Sequence, residues 1–144
     1  MPIRPENKHR YPKDWKSISL AAKERAQWRC QHDGCQARQY SIGIWFVDDD
    51  GIHRWAEQYE ATATYADARQ VAAEAWWEVQ HVGGDKLTVI VLTVAHLNHQ
   101  PEDCRPENLS VMCQRHHLAY DADLHKQTAY ATRKARNATS DLFE

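Results

Sequence analysis

The sequence predicts an α+β domain closed by a bound metal ion. Three observations carry that expectation. Two short pairs of potential ligands, Cys30-x4-Cys35 and Cys113-x2-His116, lie far apart in the chain. The run "KLTVIVLTVAHL", Lys86 to Leu97, is continuous and β-branched, as a central buried strand would be. Alanine-rich helical stretches alternate with a hairpin signal at Asp50-Gly51.

Taken in order, the first 13 residues are punctuated by Pro2, Pro5 and Pro12 and should be extended. Asp14 or Ser17 can cap a helix that runs through "SLAAKERAQW" to about Trp28. "CQHDGC" reads as a tight turn, with Gly34 free to take the backbone angle such a turn needs. "SIGIWFVDDDGIHRWAEQY" is two aromatic and β-branched runs around Asp50-Gly51, a hairpin. "YADARQVAAEAWWEVQ" is an amphipathic helix with Val71, Ala75 and Glu78–Val79 on one face, ended by Gly83-Gly84. After the Lys86–Leu97 strand, "NHQPEDCRPENL" is a loop with Pro101, Asp103 and Pro106 as turn formers. A last helix starts near Cys113 and runs toward Arg136.

The 144 residues, 42 % apolar and 26 % charged, fit a single globular domain. No apolar run reaches membrane-spanning length and no signal-peptide core opens the chain, so a soluble cytoplasmic protein is expected. The net charge of −2 hides an uneven distribution: both ends are rich in Lys and Arg, and the middle, Asp48 to Glu78, is acidic. Such a chain can present a positive face to a polyanion, although solvated helix faces would give the same pattern.

Nine histidines and four cysteines raise the expectation of metal chemistry over disulfides in a reducing compartment. Closed structural zinc sites take four S or N ligands in a tetrahedron. Two knuckles meeting in space would supply them, the first on a glycine turn and the second at a helix start, as in a treble-clef-like site. Buried free cysteines are the competing explanation. Cys104 sits in the proline-rich loop without a partner at ligand spacing and reads as a non-ligand.

Between and after the knuckles lies "TVAHLNHQPEDCRPENLSVMCQRHH". His96 stands where a strand gives way to a loop, Asn108 precedes the second knuckle and His117 follows it. This resembles the HNH endonuclease family, with its strand-end His, loop Asn and helix His. "RPENLSVMCQRHHLAYD" is similar to phage and bacterial members with zinc knuckles, and so is the N-terminal stretch ending "WRCQHDGC". The likeness covers roughly residues 1 to 35 and 88 to 144. It implies a ββα-metal core stapled by zinc, with residues about 40–86 an inserted hairpin and helix.

The resemblance also implies roles. His116 would be the fourth structural zinc ligand, standing where the family usually has a second cysteine, and His117 would hold a catalytic divalent cation (Mg2+, Mn2+ or Ni2+). The alternative pairs Cys113 with His117. His96 would be the general base of phosphodiester hydrolysis, and Asn108 an architectural tie or a simple turn residue. Many members carry an Asp before the strand-end His; here it is Ala95, which cannot ligate. His99 is then the nearest further cation ligand, with Asn98 and Asp121 as others. DNA would be the partner, and an inactive zinc-stapled DNA-binding module, or a phage accessory protein acting with a terminase, are the rival readings. Trp45, Trp55, Trp76 and Trp77 in the insertion could stack on unpaired bases, but at such spacings tryptophans more often belong to the core.

Overall fold

A computed structural model describes residues 3–79 and 86–141. It has mixed α/β architecture with two small antiparallel sheets. The N-terminal segment is not extended, as its prolines suggested. Pro5 starts a 3-10 helix, Pro5–Arg10, because a proline at the first helical position sacrifices no hydrogen bond. Helix α1, Trp15–Arg25, follows Asp14 but stops short of Trp28, since Gln27 and Trp28 both adopt φ 56°.

The predicted hairpin is present as β1, Ile42–Val47, and β2, His53–Tyr59. Asp48 organises its turn: Oδ1 accepts the Asp50 and Ile52 N–H groups at 3.0 and 2.9 Å, and Gly51 takes φ 77°. At the other end the pairing shifts by one residue between Ile42 and Gly43, where a Cβ on Gly43 would sit 2.1 Å from the Ala56 carbonyl oxygen. Helix α2, Tyr65–Val79, is capped by the Thr64 hydroxyl, which accepts the Asp67 N–H. Its inner face is Ala68, Val71 and Ala72, packed on Ile42 and Val89; Ala75 is also buried. Gly83-Gly84 lie outside the described residues.

The single long strand expected from Lys86 to Leu97 is two short ones. Strand β3, Thr88–Val89, joins the hairpin in a sheet ordered β2-β1-β3, while β4, Leu92–His96, pairs with β5, Leu109–Cys113. Ile90 is held by Ser41 and Tyr40 backbone groups, and the Val91 and Leu92 N–H groups donate to the side-chain amides of Gln114 and Gln39 at 3.0 and 2.6 Å. These bonds satisfy the backbone where the chain passes from one sheet to the other.

The last helix is also divided. Helix α3, Gln114–Tyr120, and helix α4, Ala122–Asp141, are separated by Asp121 at φ −88°, ψ 3°. The main core gathers Ala22, Ala37, Ile90, Leu92, Ala95, Val111 and Met112 with three of the cysteines, and Trp15, Trp45 and Trp55 pack against it. The core reading therefore holds for Trp45 and Trp55, whereas Trp76 and Trp77 are exposed. No helix among the described residues is long and apolar enough to cross a membrane.

Candidate metal centre and the adjoining histidines

Residues 30–38 fold back on themselves and onto β5. The Cys30 N–H donates to Ala37 O at 2.9 Å, Cys35 N–H to His32 O at 3.0 Å, and Gln31 N–H to Val111 O at 2.8 Å. The Gln31 side chain returns a bond from Val111 N–H, also 2.8 Å. Cys113, the last residue of β5, is the N-cap of α3. The two knuckles thus meet, and the ligand atoms of Cys30, Cys35, Cys113 and His116 lie within 4.8 Å of one another, the three cysteines buried.

His116 Nδ1 is 3.6 Å from Cys30 Sγ and 3.2 Å from Cys113 Sγ. Ordinary zinc–sulfur and zinc–nitrogen bonds give a tetrahedral S···N edge of about 3.6 Å, so the donor set fits a structural zinc ion. Without a cation the thiols compete for protons. Hydrogen bonds from Cys113 and Cys35 pull Cys30 strongly toward thiolate, and the same contact with Cys30 pushes Cys113 strongly up. A dication at the centre would replace those protons. The His116 ring is stacked on His32 at 3.8 Å and meets the edge of Trp45 at 5.7 Å. Cys104 lies outside this group.

His117 turns the other way. Its Nδ1 is 2.6 Å from Thr93 Oγ1 and its Nε2 is 2.9 Å from Asp121 Oδ2. The second oxygen of Asp121 is 3.2 Å from His99 Nδ1. Burial lowers the proton affinity of His117, partly offset by Asp121. His99 occupies the left-handed region at φ 58°, held by its N–H bond to His96 O and by stacking on Tyr120.

His96 ends β4 and is only 8 % exposed. Trp15 stacks on its ring at 4.9 Å, Tyr11 meets it edge-on at 5.8 Å, and Cys104 Sγ lies 3.6 Å from Nε2. Burial lowers its pKa, which favours the neutral imidazole. Asn108 ties the 97–108 loop: its backbone carbonyl and Oδ1 accept the Leu97 and Asn98 N–H groups, and its Nδ2 donates to Asp103 O and Asn98 Oδ1. Asn98 is thereby occupied within the loop, also donating to Asp103.

Sequence reasoning gave no role to Tyr11, Trp15 or Thr93, and set Cys104 aside. Tyr11 and Trp15 are more than 80 residues from the histidine they cover, and no local pattern marks such a contact.

Fold and site together define a mixed α/β protein with a Cys3His cluster able to hold a metal ion. No protein-family model, curated protein or solved structure matches the chain.

Proposed function

We propose that the protein is a metal-dependent DNA endonuclease of the HNH type, with a ββα-metal core and a structural zinc ion in the Cys3His cluster. One observation carries this reading: β4, β5 and α3 follow one another as strand, strand and helix, with His96 at the end of β4, Asn108 bracing the intervening loop and His117 on α3. The zinc cluster braces the start of the same helix through Cys113 and His116.

In this reading neutral His96 takes a proton from water as the water oxygen attacks phosphorus and the bond to the leaving sugar oxygen breaks, that oxygen taking a proton from solvent water. His117 would hold a divalent cation, which when bound would supply charge stabilisation for the phosphoryl oxygens. Asn108 holds the loop between the two histidines and touches no substrate. Exposed Lys13, Lys16 and Arg25 on the N-terminal side, with Lys126, Arg133, Lys134 and Arg136 on α4, would neutralise phosphates without reading sequence.

A second reading has its own support. His96 is packed beneath Tyr11 and Trp15, and Ala95 beside it is apolar, as suits a zinc-stapled module that binds DNA without cutting it. Plasmid nicking in Mg2+, Mn2+ or Ni2+, beside His96→Ala, separates the two. Cleavage that requires His96 supports the nuclease. Salt-sensitive DNA binding with no cleavage in any cation supports the module.

A further inference from the structure

Asp121 interrupts the C-terminal helix, and its carboxylate lies between two histidines. His117 Nε2 faces Oδ2 at 2.9 Å and His99 Nδ1 faces Oδ1 at 3.2 Å. We propose that His117 Nε2 and Asp121 Oδ2 form a two-ligand seat for a divalent cation, with Thr93 and His99 as positioning residues. The inference rests on the nuclease reading for its purpose, since it names the carboxylate that serves the cation where Ala95 offers none. Its geometry stands apart from that reading.

Three observations support the seat. An imidazole nitrogen and a carboxylate oxygen at 2.9 Å need a positive charge between them, a proton or a metal ion. Neighbouring ligands on an octahedral ion with bonds of about 2.1 Å are about 3 Å apart, so the pair already has the spacing of two adjacent ligands. Each partner is also fixed from behind. Thr93 Oγ1 contacts His117 Nδ1 at 2.6 Å and lies 3.3 Å from the Met112 carbonyl; when its proton goes to that carbonyl, Nδ1–H donates to Oγ1 and the Nε2 lone pair is left for the ion.

The third observation is the placement of His99. A non-glycine residue at φ 58° persists only where its surroundings hold it there. Here the Tyr120 stack at 5.3 Å and the His96 carbonyl do so, and the ring nitrogen reaches the far oxygen of Asp121. His99 then orients the carboxylate while Oδ2 remains for the cation. The ligand atoms of His99, His117 and Asp121 do not gather as closely as the Cys3His atoms do, which suits a positioning role for His99 better than direct ligation. A seat with two protein ligands leaves the other positions to water and phosphate oxygens, as magnesium-type sites do.

The test uses the full chain loaded with zinc and Mn2+ as the probe. Calorimetry should show one weakly bound Mn2+ beyond the zinc. Paramagnetic broadening in NMR spectra should be strongest at His117 and Asp121 and weaken with distance from them. Asp121→Asn should lower Mn2+ affinity by at least about tenfold, and His99→Gln by about tenfold, the usual effect of removing an orienting partner. Zinc content and melting temperature should match the wild type in both variants. The broadening pattern needs no variant and stands even if one misfolds. Equal Mn2+ affinity in Asp121→Asn, no Mn2+ binding by the wild type, or broadening centred elsewhere would each overturn the seat. If the seat binds Mn2+ and DNA stays intact, the nuclease reading fails and the seat stands. If DNA is cut and Asp121→Asn binds Mn2+ normally, the seat fails and the nuclease reading stands.

Discussion

His116 and His117 are neighbours in sequence and serve different surroundings. His116 Nδ1 lies 3.2 Å from Cys113 Sγ, and His117 Nδ1 lies 2.6 Å from Thr93 Oγ1. Successive residues on a helix point about 100° apart, so one adjacent pair can face two sites on either side of a single turn. The first turn of α3 thereby links the Cys3His cluster to the edge formed by Asp121 and His99.

Chelation should unfold the protein. A closed zinc site can contribute on the order of 10 kcal/mol to folding in small zinc domains. Circular dichroism on prolonged treatment with a strong chelator should show loss of structure, reversed by adding Zn2+. Cys113→Ser should be poorly soluble and zinc-poor. Cys104→Ser should keep full zinc content, because Cys104 contacts His96 and Pro101 rather than the cluster.

Gly43→Ala should destabilise the domain by about 1–3 kcal/mol, the usual scale for forcing extra atoms into a packed site. The added methyl group would meet the Ala56 carbonyl oxygen at 2.1 Å, and the neighbouring backbone of Ala56 and Glu57 leaves it no way out. Urea unfolding of the zinc-loaded protein should show a lower midpoint. An unchanged midpoint would mean that the strands part there without cost.

Stability should fall in mild acid through His96. Burial lowers its pKa in the folded chain, while in the unfolded chain it titrates at about 6.5. Between those values the unfolded chain binds more protons, so the contribution is complete above about 6.5 and is lost as pH falls toward the folded value. His96→Gln should be less sensitive to pH in that window, measured by urea titrations with zinc present. In the proposed nuclease, His96 should likewise stay unprotonated to a lower pH than an ordinary histidine would allow.

DNA binding should weaken steeply with salt. Replacing Lys13, Lys16 and Arg25 with alanine should reduce the log–log salt slope by about 0.9 for each phosphate that is no longer neutralised. Lys23, on the same helix as Lys16 and Arg25, is a poorer choice, because partial burial disfavours its charged form. Fluorescence anisotropy with unrelated duplexes should show the same weakening for all of them.

Much of this arrangement is legible in the sequence wherever the determinant is local. The Asp50-Gly51 turn and the glycine turn of the first knuckle are written in residues next to the structure they shape. The ligand spacings behave the same way, since each knuckle is a few residues long. Less could be read where distant groups decide the outcome. The break at Ile90–Val91 depends on Gln39 and Gln114, each more than 20 residues away, so an unbroken β-branched run masks two strands. The break at Asp121 carries no glycine or proline, and its side chain is committed to His99 and His117 instead of to a helix cap. The cover over His96 comes from Tyr11 and Trp15, and the neighbouring Arg10 bonds Glu102 at 2.6 Å in the loop that follows β4.

The division of labour between the paired histidines is tested by the zinc content of two single variants, His116→Ala and His117→Ala, measured by elemental analysis on freshly purified protein. His116→Ala should lose most of its zinc and melt at a lower temperature, since it removes one of four ligands from a closed site. His117→Ala should retain one zinc per chain with a folded spectrum. Zinc retained in His116→Ala and lost in His117→Ala would reverse the two assignments and contradict the separation of the two sites.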